Sequence, residues 1–178
     1  MRKLKLDELG RASPEVYRLM EKTPLVLVLD NVRSALNVGA AFRTADAFAL
    51  EKIYLCGITA TPPHREILKT ALGATQTVSW EYYHSAGELI NQLKRGGWTV
   101  LAIEQAVGSI GLQEFQPGAF KKYAVVFGNE VEGVSEEVMQ AVDGCIEVPQ
   151  FGTKHSLNIA VCIGIVVWDF VKQIRFGN

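Results

Sequence analysis

At 178 residues the chain has the length of one compact domain, and 48% hydrophobic against 21% charged residues is the balance of a globular protein able to bury a sizeable core. Its 18 basic and 19 acidic residues leave a formal net charge of −1, which excludes a polycationic coat for nucleic acid, so any RNA contact has to be a local patch.

The chain opens with MRKLKLDELGR, which is basic but lacks the apolar stretch of an export signal; the expectation is a cytoplasmic protein. Residues 1–22 read as a basic arm and a short helix, started by Ser13-Pro14-Glu15 and closed by Thr23-Pro24, and residues 23–178 as the domain proper. Leu25 to Leu29 is a continuous apolar run ending at Asp30, the pattern of a strand covered on both faces and hence of a parallel sheet. Similar runs follow at Ile53 to Cys56, Thr99 to Ile103 and Tyr123 to Phe127, with a weaker one at Cys145 to Val148. Between them Phe42, Ala45 and Ala49, then Leu89, Ile90 and Leu93, repeat at helical spacing, and Ser135-Glu136-Glu137-Val138 opens a capped, acid-first turn. The alternation predicts an α/β fold, a mostly parallel sheet with helices on both faces.

Gly108 to Lys122 reads as a surface loop with a short turn. The longest apolar run, Ile159 to Trp168, has roughly half the ~20 residues of a membrane span and stops at Asp169, so it reads as a buried helix. Cys56, Cys145 and Cys162 form no C-x-x-C pair and read as buried free thiols. His64, His84 and His155 are equally scattered, and no metal is predicted.

In open α/β sheets ligands collect beyond the carboxyl ends of the strands, and three segments in such positions carry chemistry. In the first, Asn37, Gly39 and Arg43 begin a helix. A glycine one turn before an arginine leaves room beneath the guanidinium for a phosphate, or else it only lets helices pack closely while the arginine faces solvent. The second, Gly128-Asn129-Glu130-Val131-Glu132-Gly133, lets backbone amides approach a ligand. The third, Val148 to Asn158, gathers Ser, Asn, Lys and His in one loop, which also suits a well-capped helix start. No phosphate loop, dinucleotide fingerprint or nucleophile elbow is present, which removes the support for a nucleotide triphosphatase, an ordinary Rossmann cofactor site or a serine hydrolase.

In that order LNVGAAFRTADAF, FGNEVEG and VPQFGTKHSLNIAV resemble the three motifs of the SpoU, or TrmH-like, RNA 2′-O-methyltransferases, over about Leu25 to Phe170. The resemblance implies a SPOUT-class fold with a C-terminal trefoil knot over residues 23–178, a homodimer, and S-adenosylmethionine bent in the knot. The cofactor would be held by backbone groups at Gly128, Val148 and Leu157, with Asn129 and Ile103 beside them. Arg43 resembles the arginine assigned to activating the ribose hydroxyl and Asn37 its active-site neighbour, while Glu130, Ser156 and Asn158 resemble the polar residues that orient this arginine and the cofactor. Ile159-Ala160 departs from the Val-Ser often found there, and no appended RNA-binding domain fits this length.

An arginine, with a reference pKa of about 12.5 to 13.8, is a poor base at neutral pH. Arg43 is therefore expected to grip a phosphate and stabilise the developing alkoxide, with the phosphate or water taking the proton as the methyl is transferred and His155 as a rival base. A patch of Arg33, His64, Arg65, Lys69 and Lys154 is expected to bind the RNA, tRNA more readily than rRNA. A base-methylating SPOUT enzyme and a catalytically silent RNA-binding factor are the alternatives. The arginine motif argues against the first and the intact polar set against the second.

Overall fold

A computed structural model describes residues 1–118 and 121–177. Its elements run α1 (Pro14–Leu19), β1 (Thr23–Asp30), α2 (Ala35–Ala47), β2 (Leu50–Cys56), α3 (Arg65–Ala71), β3 (Trp80–Tyr83), α4 (Ala86–Arg95), β4 (Trp98–Ile103), β5 (Ile110–Gly111), β6 (Lys122–Phe127), α5 (Glu136–Ala141), β7 (Gly144–Glu147) and α6 (Ile159–Phe176). Among the described residues seven strands form one sheet in the order β3-β2-β1-β6-β4-β7-β5, and every pairing is parallel. The α/β expectation is met, and β1 explains why its run is continuously apolar. Leu25, Leu27 and Leu29 enter a core with α2, α3 and α6, whereas Val26 and Val28 enter a second core with α4 and α5 on the other face.

Several details differ from the sequence reading. α3 was not foreseen because Ile67 and Ala71 are its only buried residues, too few to set a helical period. β3 is an edge strand, WEYY, with no fully buried position, and β5 is two residues long. β5 pairs with β7 inside the stretch expected to be loop; residues 119 and 120 of that stretch lie outside the described residues. Thr23-Pro24 opens β1 rather than closing α1, which has already ended at Leu19. The run read as a buried helix is buried on one face only: α6 continues past Asp169 to Phe176 and leaves Val161, Ile165 and Trp168 exposed. The cysteines are free, but only Cys56 is fully buried.

α1 is tied to the domain through buried Tyr17 and through Arg18, which donates to the Gln76 carbonyl at 3.2 Å. No described helix is long and apolar enough to cross a membrane. The chain passes from β1 to β2 and β3 on one side and then crosses to the other, where β4 to β7 stand in the order β6, β4, β7, β5. The order therefore reverses at β1, and the loops after β1, β4, β6 and β7 meet beside that point.

Candidate active site

The loops after β4, β6 and β7 line a cavity of about 730 Å³, within the roughly 300–1,000 Å³ usual for small-molecule sites. Ile103 at the end of β4, Gly128 and Asn129 after β6, Val148 after β7 and Leu157 ahead of α6 all line it, as do Glu130, Ser156 and Asn158. Glu104, Glu130 and Glu132 supply three carboxylates, and no lysine or arginine is among its described lining residues. Ile103, Phe127 and Ile159 add apolar surface. The cavity therefore suits a ligand with an apolar body and a positive charge.

One wall is the loop from Gly128 to Ser135. A Cβ on Gly128 would stand 2.1 Å from Gly133 C and Val134 N, so only glycine allows this approach. Asn129 and Gly133 exchange backbone hydrogen bonds at 2.8 and 2.9 Å, and Asn129 Nδ2 donates to the Asn31 carbonyl at 2.9 Å. Buried Asp30, at the end of β1, accepts from both Ser135 N (3.1 Å) and Ser135 Oγ (2.7 Å). Ser135 was expected to cap α5, but its hydroxyl is spent on this carboxylate and α5 has no side-chain cap.

Glu130 joins this wall to α2. Its carboxylate accepts from Arg33 N at 2.8 Å, Ser34 N at 3.0 Å and Asn37 Nδ2 at 3.0 Å, which sets a negative charge at the positive end of the helix. Burial pushes the carboxyl up, but the hydrogen bonds from Arg33, Asn37 and Ser34 outweigh it and hold Glu130 below the usual carboxylate range. Asn37 Oδ1 in turn accepts from Asn158 Nδ2 at 3.3 Å, while Asn158 Oδ1 caps α6 by accepting from Ala160 N and Val161 N. Glu130, Asn37 and Asn158 thus form one chain of hydrogen bonds drawn from all three sequence motifs.

Arg43 is not part of that chain. It is exposed and lines a separate cavity of about 500 Å³ between α2 and α3, together with Thr44, Phe48 and Lys69. Among the described residues no hydrogen bond links it to Glu130, Ser156 or Asn158, so the orienting role expected of these three is not exercised on Arg43 within one chain. Gly39 leaves no room for a phosphate. A Cβ there would stand 2.1 Å from Thr70 Oγ1 and 2.4 Å from the Ile67 carbonyl, so the glycine serves close packing of α2 on α3. Ser156 is exposed on the cavity rim without a described hydrogen bond. Arg33, Arg65 and Lys154 are exposed, and among the described residues none of them, nor Arg43 or Lys69, enters a salt bridge. His64 caps α3, its Nδ1 accepting from Glu66 N at 3.3 Å.

Two lining residues escaped the sequence reading, Glu104 and Gln105. The signal was available, since both follow directly on the apolar run of β4. Glu104 Oε2 accepts from Val134 N at 3.1 Å, and Gln105 Nε2 donates to the His155 carbonyl at 2.7 Å. Cys162 also lines the cavity; burial, then Glu104, pushes its thiol up to about 11, which keeps it protonated and unreactive at neutral pH. Among the described residues no group of three or more His, Cys, Asp or Glu could hold a metal ion.

The model of the SpoU rRNA methylase family matches residues 24–168. A tRNA (guanosine(18)-2′-O)-methyltransferase from Borreliella burgdorferi is 28% identical over 151 residues, which cover 85% of this chain and 67% of that protein. The fold is similar to that of the A. aeolicus TrmH/SpoU tRNA modifying enzyme, with a TM-score of 0.78 at 26% identity over 90% of this chain and 79% of that one. It is equally similar to an AdoMet-bound rRNA methyltransferase from Sinorhizobium meliloti, with a TM-score of 0.78 at 27% identity over 92% of this chain; the match spans 61% of that longer chain.

Proposed function

The chain belongs to the SpoU rRNA methylase family, and from that premise we propose that it transfers the methyl group of S-adenosylmethionine to a ribose 2′-hydroxyl of a structured RNA, tRNA in preference to rRNA. The observation that carries this reading is the carboxylate-lined cavity at the carboxyl ends of β4, β6 and β7, where residues from the second and third motifs meet. Its acidic and apolar lining fits a cofactor that joins a sulfonium, an ammonium and a carboxylate to an adenosine and carries a net positive charge. Backbone groups at Gly128, Val148 and Leu157 would hold it, with Ile103 and Asn129 alongside. When bound, S-adenosylmethionine supplies an electrophilic methyl carbon.

The chain's own task is positioning. Displacement at that carbon needs the hydroxyl in line with it, and the Glu130–Asn37–Asn158 chain is a fixed polar surface for setting the ribose. Arg43 and Lys69 leave two cations in the α2–α3 cavity, and a guanidinium there grips a phosphate of the target nucleotide and steadies the developing alkoxide. Arg33, Arg65 and Lys154 extend the cationic surface for RNA, whereas His64 contributes only through the face its capping leaves free.

A homodimer and a C-terminal knot belong to the same reading, as does a cytoplasmic location. α6 exposes Val161, Ile165 and Trp168 by 52%, 40% and 48%, one apolar stripe at helical spacing that a second copy would cover. Trp168 packs on Phe48 with ring centroids 5.8 Å apart, and Phe48 lines the Arg43 cavity. A second copy on the stripe would thus border Arg43, which supports Arg43 acting on RNA at the other subunit's cofactor cavity.

The test is transfer of labelled methyl from S-adenosylmethionine to total tRNA and to rRNA, followed by nucleoside analysis. A 2′-O-methylnucleoside is expected, with activity down on the order of 100-fold in Arg43→Lys, because a point charge lacks the planar fork. A methylated base, or a lysine variant with normal turnover, overturns the reading. The tRNA names of the Borreliella and A. aeolicus relatives support tRNA, and product appearing only on rRNA would reverse that preference.

A further inference from the structure

Residues 149–157 form the second wall of the cavity, and their attachment is sparse. Among the described residues one hydrogen bond reaches this segment from the rest of the chain, the 2.7 Å bond from Gln105 Nε2 to the His155 carbonyl. Little packing replaces the missing bonds. Phe151 is 97% exposed, a Cβ on Gly152 would meet nothing within 4 Å, and residues 151 to 158 are all exposed.

The other end of that bond is immobile. Glu104 N donates to the Ile146 carbonyl at 3.0 Å, which locks the end of β4 to β7. One Glu104 carboxylate oxygen accepts from Gln105 N at 2.8 Å and the other from Val134 N at 3.1 Å, so the residue before the tether is fixed to the opposite wall. Adjacent side chains thus reach both walls, Glu104 one and Gln105 the other.

We propose that Gln105 is a positioning residue, whose hydrogen bond to the His155 carbonyl holds the 149–157 wall in its binding conformation and thereby sets the affinity for the cofactor. This rests on the cavity being the S-adenosylmethionine site. Ordering a loose loop around a ligand costs conformational entropy, and a loop already tethered in place loses less of it on binding. Because the bond is exposed, its loss registers in ligand affinity rather than in the stability of the fold.

Three variants isolate the donor. Gln105→Met keeps the length without a donor, Gln105→Glu sets a carboxylate against the carbonyl, and Gln105→Arg retains a donor. Calorimetric titration with S-adenosylmethionine is expected to show binding weaker by about three- to tenfold in the Met and Glu variants, with recovery in Arg. The loss should appear in KM for the cofactor rather than in kcat, at an unchanged unfolding midpoint. Without cofactor, trypsin should cut after Lys154, beside the tethered carbonyl, faster in Met and Glu than in the wild type. Wild-type affinity and cleavage rate in Gln105→Met overturn the proposal, as does weak binding that Arg fails to restore and that follows a lowered unfolding midpoint. Failure of the wild type to bind S-adenosylmethionine sinks the cofactor assignment instead, while an unchanged trypsin rate sinks the tether by itself.

Discussion

Between Gly128 and Ser135 the chain is fixed from four directions, by Asp30, by the Asn31 carbonyl, by Glu104 and by the amino end of α2 through Glu130. Between residues 149 and 157 it is fixed, among the described residues, from one, by Gln105. Both segments follow parallel strands, both carry a family motif and both line the same cavity. The difference lies in where their hydrogen bonds go. Asp30 and Glu104 reach into the first wall, and its own Asn129 and Glu130 side chains reach out to the neighbouring loop and α2, which makes it a rigid template for the reacting groups. Among the described residues one bond, from Gln105, reaches the second, which depends on that single tether for its position.

Matched glycines give the sharpest way to break this contrast. Gly128→Ala drives a methyl into the Gly133–Val134 backbone of a wall that is held on every side, and a loss of about 3 kcal/mol or more is expected in urea denaturation. Gly152→Ala meets open space and should change stability by no more than about 0.5 kcal/mol. Equal losses at the two positions would erase the distinction. The next effect is Asp30→Ala, which leaves Ser135 N–H and its hydroxyl without their acceptor in a part-buried site; about 2 kcal/mol is expected by the same measurement. A value near zero would mean that the first wall does not depend on this carboxylate.

Legibility in the sequence follows the same division. The central strands could be read because burial on both faces leaves no polar residue in Leu25 to Leu29 or Ala124 to Phe127. β3 could not, because an edge strand with exposed Glu81 and Tyr82 has neither a run nor an alternation. The cavity residues Gly128, Val148, Leu157 and Ile103 were legible through motif resemblance. The detachment of Arg43 was not. Asn37 and Arg43 are six residues apart, which on a 3.6-residue turn sets them on different faces of α2, and only the packing of α3 and α6 decides what each face meets. Glu104 and Gln105 were missed because an isolated acid and amide carry no pattern, although their place after β4 is where the carboxyl-end rule directs attention.

The smallest effect tests whether Glu130 stitches the first wall to α2 as a charge or merely as an acceptor. Its carboxyl titrates below the usual range in the folded chain, while in the unfolded chain it returns to about 4.3. Its contribution is therefore full above that unfolded value and is lost as pH falls through the lower folded one. Glu130→Gln keeps an oxygen acceptor but removes the charge at the amino end of α2, and because the side chain is exposed the cost near pH 7 should be about 1 kcal/mol or less. The gap in unfolding midpoint between wild type and variant should hold from pH 7 to about 5 and close as pH falls below about 4.3 and through the lower folded value. A gap that stays constant through the acid limb, down to acid unfolding, would assign the stitch to hydrogen-bond geometry alone. The first wall would then owe its rigidity to Asp30, Asn129 and Glu104 without help from the helix dipole.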